Sequence, residues 1–256
     1  MTAAGVLATT LGVVAHEVAH ALTGAVMGGD LVVVSSTGVE GYWSMLRNAG
    51  WVLLGVSGSA ANAFVAACGW LFFRRSVGRP GTGSLVGWSI FVVNAWVPTL
   101  YLIASPALGF GDWMDVLSRF AALGPVRVSA VVTGLFVAGI LWKGTTQTLA
   151  LLVGGGPSKV RTSSARRLTR TLWIAGGVVA VAAGLFAPTG ALRGAGIAFG
   201  STIASTWPLL LAAERVGDTP VPGLPLLVPR STLLIAGAFV LGLAFVSILG
   251  PGLRFD

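Results

Sequence analysis

Apolar runs of about 20 residues, each long enough to cross the hydrocarbon core of a bilayer as a helix, recur along this chain from Ala3 to Leu249. Only 9% of its 256 residues are charged, against about 25% in a typical soluble domain. So few polar groups cannot coat a water-soluble globule of this length. The strict two-residue alternation of a transmembrane barrel is absent as well. The pattern predicts an all-α polytopic membrane protein with about six to seven transmembrane helices. The spans are expected near 3–28, 49–73, 85–104, 126–142 (continuing towards 153), 171–192, 194–213 and 231–249. The 37 glycines suit helices that approach closely in lipid.

Between the first two spans lies 29–43, with the β-type run Leu31, Val32, Val33 and Val34. It is too short to span as a helix and predicts a short strand or hairpin at the membrane face. Residues 154–170 carry Lys159, Arg161, Arg166, Arg167 and Arg170 and read as a basic linker. This divides a membrane-embedded core, 1–153, from C-terminal helices, 171–256, expected to pack outside it. Basic residues gather in alternate loops, around 74–79, 143–170 and 215–230, including Arg230. By the positive-inside rule this predicts an inner N-terminus and a multi-pass protein, most simply in the cell membrane. The net charge of +8 is then read as loops facing anionic head groups of the lipid bilayer. A nucleic-acid partner is not expected, since no basic patch interleaved with aromatic residues is present.

The first span contains His16-Glu17-Val18-Ala19-His20, an HExxH motif. Residues four apart share one helix face, so two imidazoles at this spacing can reach one zinc ion at about 2.0–2.1 Å. Zinc lowers the pKa of a water molecule, and the intervening glutamate can take its proton. The chain has only two histidines, and both are in the motif. Shuffling this composition would recreate the arrangement about once in ten thousand trials. Glu17 is also the only carboxylate inside an expected span, and ionisable groups at membrane depth are usually functional.

A catalytic zinc needs a third protein ligand and an open position. The lone Cys68 permits neither a disulfide nor a cysteine-based metal site, so a carboxylate is expected. Asp30, Glu40, Glu214, Asp218 and Asp256 all lie in loops or at an end. Asp112 and Asp115, at the break after the third span, remain. Asp112 follows Gly109 and Gly111, where the backbone can bend towards another helix. Asp115 lies one turn further on the same face. Asp112 is the first candidate, Asp115 the second; helix capping is the competing role for Asp112.

The stretch HEVAHALTGAVMGG at 16–29 resembles the first core helix of the site-2 protease family of intramembrane zinc metalloproteases. Gly58, Ser59, Asn62 and Phe64 look like that family's Gly-Pro-x-x-Asn stretch, with Ser59 in place of proline. Asn94 and Pro98, followed by Asp112, resemble its third motif, although Trp113 stands where the family has glycine. The resemblance covers about residues 10–120. It implies hydrolysis of a peptide bond in or near a transmembrane segment of a membrane-protein substrate. Asn94 is then a candidate for holding substrate or the oxyanion, against an interhelical hydrogen bond as its other role. Asn62 is a weaker candidate of the same kind. The strand at 31–34 offers an edge to an unwound substrate by β-augmentation. Two other readings compete: a polytopic transporter, with Asn94 and Pro98 breaking a helix, and a non-catalytic scaffold with a structural metal site. Oligomeric state is not legible.

Overall fold

The computed structural model describes residues 1–44, 46–79, 82–219, 221 and 231–255. Arg230 and Asp256 lie outside them. Helix α1 (Thr2–Val26) leads into a hairpin of β1 (Asp30–Ser35) and β2 (Gly38–Tyr42). Helices α2 (Asn48–Ser76), α3 (Gly83–Leu108), the short α4 (Asp112–Leu117) and α5 (Leu123–Val153) follow. The remainder is α6 (Ser158–Gly184), α7 (Ala191–Ala198) continuing through a π-helical turn (Phe199–Ala204), α8 (Pro208–Arg215), α9 (Thr232–Ala244) and β3 (Leu253–Arg254). The chain is therefore an all-α, multi-pass membrane protein with a small sheet after the first helix. Among the described residues six stretches are long and apolar enough to span: α1, α2, α3, α5, Ala191–Asp218 and Thr232–Leu249.

Helix α1 is the pivot, because it packs against α2, α3, α6 and α9. Small residues allow this closeness. A Cβ on Gly5 would overlap the Leu172 carbonyl of α6, and one on Gly12 would strike the Asn94 amide of α3. Helices α3 and α5 are fastened by indole hydrogen bonds, Trp88 Nε1 to Thr148 Oγ1 at 3.1 Å and Trp96 Nε1 to Thr145 Oγ1 at 3.0 Å. Outward-facing Val128, Val132, Leu135 and Phe136 of α5 are exposed, as suits a lipid-facing surface.

Several sequence expectations are corrected. The basic stretch 154–170 is not a linker, because α6 begins at Ser158. Arg161, Ala165, Leu168, Thr169 and Leu172 are buried at helical spacing while Arg166 points outward and pairs with Glu214. A run of charges on one face of an amphipathic helix imitates a linker when only composition is read. The boundary between a core at 1–153 and outer helices at 171–256 dissolves with it. Helix α3 also runs through Pro106 to Leu108, beyond the break expected at Ser105.

The sheet has the order β2-β1-β3, all antiparallel. The Leu31 to Val34 run is thus the middle strand. Val33 and Val34 pair with β3, and Phe255 N–H donates to Val32 O, so this strand has no free edge to offer. The outer edge belongs to β2. The hairpin is clamped to α1 by Trp43, against whose indole Gly24, Gly29 and Gly41 all lie too close to carry a Cβ.

Candidate metal centre

The single helical turn between His16 and His20 brings their Nε2 atoms to 3.1 Å from each other. Helix α4 delivers the third group: Asp112 Oδ2 lies 3.3 Å from His16 Nε2 and 3.2 Å from His20 Nε2. Asp112, not Asp115, therefore completes the cluster, the one set of three such ligating side chains found close together among the described residues. Asp115 lines the neighbouring cavity wall instead.

The outer faces of both imidazoles are fixed by α2. His20 Nδ1 lies 2.7 Å from the Leu54 carbonyl, which can only accept, so Nδ1 carries the proton. Ser57 Oγ also sits 3.2 Å from this nitrogen while donating to the same carbonyl. His16 Nδ1 lies 2.7 Å from Asn62 Oδ1. The Asn62 amide orientation follows from its nitrogen, which donates to Gly12 O and Asn94 Oδ1, both at 3.1 Å. Both rings are then Nδ1–H tautomers, with their Nε2 lone pairs facing one another and a carboxylate oxygen. Three such acceptors at this separation repel unless a cation lies between them.

The spacing fits a metal ion. Ligand atoms at tetrahedral corners with bonds of about 2.0–2.1 Å are about 3.3 Å apart, close to the 3.1, 3.2 and 3.3 Å found. Two imidazoles and a carboxylate, each imidazole held from behind by a carbonyl-type oxygen, form a metal-ligand set with its outer partners in place. Burial and the charge of Asp112 raise the Asp115 carboxyl above its ordinary value.

Glycines let three elements meet here. A Cβ on Gly58 would overlap the Nε2 atoms of both histidines. A Cβ on Gly55 would overlap Val116 and press on the Asp112 backbone. Gly111 takes a positive φ of 84° against the Tyr101 hydroxyl, turning the chain so that α4 starts beside α2. Ser59, at the position compared with a family proline, accepts a hydrogen bond from Trp113 Nε1 at 3.1 Å and fastens α4 to α2. Gly58→Ala should accordingly lower metal content although it removes no ligand, whereas Ala60→Gly, two residues on and exposed, should not. Metal analysis of the purified variants checks this. Asn62→Ala should weaken metal binding about 10–100-fold, the usual effect of losing an outer-shell partner, as measured by competition with a chelator.

Asn94 has a different occupation from the substrate-holding one expected. It is fully buried, its Nδ2 donates to Ala8 O at 3.2 Å and Ile90 O at 2.9 Å, and its Oδ1 accepts from Asn62. No donor is left for an oxyanion. It ties α3 to α1 and supports Asn62, which orients His16.

The His16, His20 and Asp112 cluster opens into a cavity of about 370 Å³ whose wall includes Glu17, Asn62, Tyr101 and Asp115. Glu17 is buried and makes no hydrogen bond among the described residues. The β1–β2 turn contributes Ser36, Thr37 and Gly38. Ile197, Ser201 and Thr202 also line this cavity, so the C-terminal helices are part of the site, contrary to the expectation that they lie outside it. None of these three residues is ionisable, so nothing in the sequence marks them. Tyr101 was missed too. It is one of only two tyrosines and stands seven residues after Asn94, on the same helix face. Compared with known proteins, the chain matches no family model, no curated protein and no solved structure.

Proposed function

We propose that this chain is an intramembrane zinc metalloprotease that hydrolyses a peptide bond in or near a transmembrane segment of another membrane protein. The observation that carries the reading is the convergence of His16, His20 and Asp112 beside a buried Glu17 that has no hydrogen-bond partner among the described residues. A purely structural site has no use for a free carboxylate at its open side. Two imidazoles and one carboxylate are a ligand set of catalytic zinc sites, which keep one position open. The resemblance of 16–29 to the site-2 protease family supports the same assignment.

Zinc bound there would acidify a water molecule and polarise the scissile carbonyl. Glu17 then takes the proton of the attacking water and later returns it to the departing amine. The outer edge of β2 supports delivery of substrate, because a transmembrane helix hides its own peptide bonds and must be extended before attack. An edge strand can hold such an extended segment by main-chain hydrogen bonds, and the β1–β2 turn reaches the cavity.

The test is to reconstitute the purified protein with a panel of single-span substrates. The expected result is cleavage within or beside the span, abolished by chelator and restored by zinc. Cleavage that chelator does not touch, or none across the panel, would count against the reading.

A further inference from the structure

We propose that Tyr101 supplies the hydrogen bond that stabilises the oxyanion during peptide hydrolysis, a role that rests on the protease reading. Tyr101 is half-buried in α3 and lines the same cavity as His16, Glu17, His20 and Asp112. Its hydroxyl oxygen accepts the Asp112 backbone N–H at 3.1 Å. Its own O–H has no acceptor among the described residues, so one donor is left in the wall of the cavity that the cluster opens into. Gly111 packs against the same hydroxyl, leaving it little freedom to swing away. Asn94 cannot fill this role, since both its donor positions are spent on main-chain carbonyls. Preorganised neutral donors aimed at developing charge are usually the largest single contribution to acyl-transfer catalysis.

The step balances. Glu17 takes one proton from the attacking water, and the water oxygen bonds to the carbonyl carbon. The C=O π pair moves onto the carbonyl oxygen, which receives the Tyr101 O–H hydrogen bond. When that pair returns, the C–N bond breaks and the proton held by Glu17 passes to the amine. Tyr101 lends a hydrogen bond throughout and loses no proton.

Tyr101→Phe keeps the ring and removes only the hydroxyl. Zinc per chain should stay at the wild-type level, KM should change little, and kcat should fall about 10²–10³-fold, as when one oxyanion donor is removed. A phosphinic pseudopeptide with leucine side chains on either side, which mimics the tetrahedral species, should bind the variant more weakly by a comparable factor. An active wild type with an equally active variant, or with unchanged phosphinate affinity, overturns the role and leaves the protease reading standing. Loss of zinc from the variant would reduce Tyr101 to holding Asp112 and also overturns it. A zinc-loaded wild type that cleaves none of the panel removes the protease reading and this role together.

Discussion

Glu17→Gln is expected to remove nearly all hydrolysis while leaving the metal in place. The side chain keeps its size, and it is not one of the three convergent ligands. Its carboxylate lines the cavity, buried and without a hydrogen-bond partner among the described residues. General-base assistance contributes about 10²–10⁴-fold to typical rates. The fold should tolerate the change, because removing an unpaired buried charge relieves a desolvation penalty. The measurement is single-turnover cleavage together with zinc per chain for wild type and variant. Equal rates would exclude Glu17 as the base. Loss of zinc with loss of activity would mean that Glu17 holds the ion.

Asp112→Ala should lose the ion itself. Its Oδ2 is the third corner of the cluster, at 3.2–3.3 Å from both imidazole nitrogens, and two histidines alone hold zinc poorly. The loss of affinity should exceed the roughly 10–100-fold typical of an outer-shell partner. Asp115→Ala, one turn along α4, is the internal control and should retain metal, because Asp115 only lines the cavity. The histidine pair left in Asp112→Ala no longer faces a carboxylate, so the fold should survive and report on metal alone. Chelator competition on both variants separates the two carboxylates. Retention by Asp112→Ala, or loss by Asp115→Ala, would overturn the ligand assignment.

The parts of the site visible in sequence were those that local geometry dictates. His16 and His20 are one helical turn apart, and the composition leaves no other histidine. Asp112 is preferred to Asp115 in the sequence because it follows Gly109 and Gly111, and the positive φ of Gly111 is what aims the start of α4. The roles of Asn62 and Asn94 depended on contacts across 46 and 86 residues of chain, which no spacing encodes. The spans were legible from hydropathy because lipid demands long apolar helices. Helix α6 reads as a linker from composition because Lys159, Arg166, Arg167 and Arg170 are exposed, while Ala165 and Leu168 pack inward together with Arg161. Strand β1 was recognised as a strand, yet its loss of both edges depended on β3, more than 200 residues away in sequence.

The central claim is that His16, His20 and Asp112 hold one catalytic zinc ion. Metal analysis of the purified protein, joined to X-ray absorption at the zinc edge, tests it most directly. The expected result is one zinc per chain in a shell of nitrogen and oxygen at about 2.0–2.1 Å with no sulfur, lost in His16→Ala and Asp112→Ala. A folded wild-type protein without stoichiometric zinc after zinc loading, or an ion that persists when both residues are replaced, would contradict it.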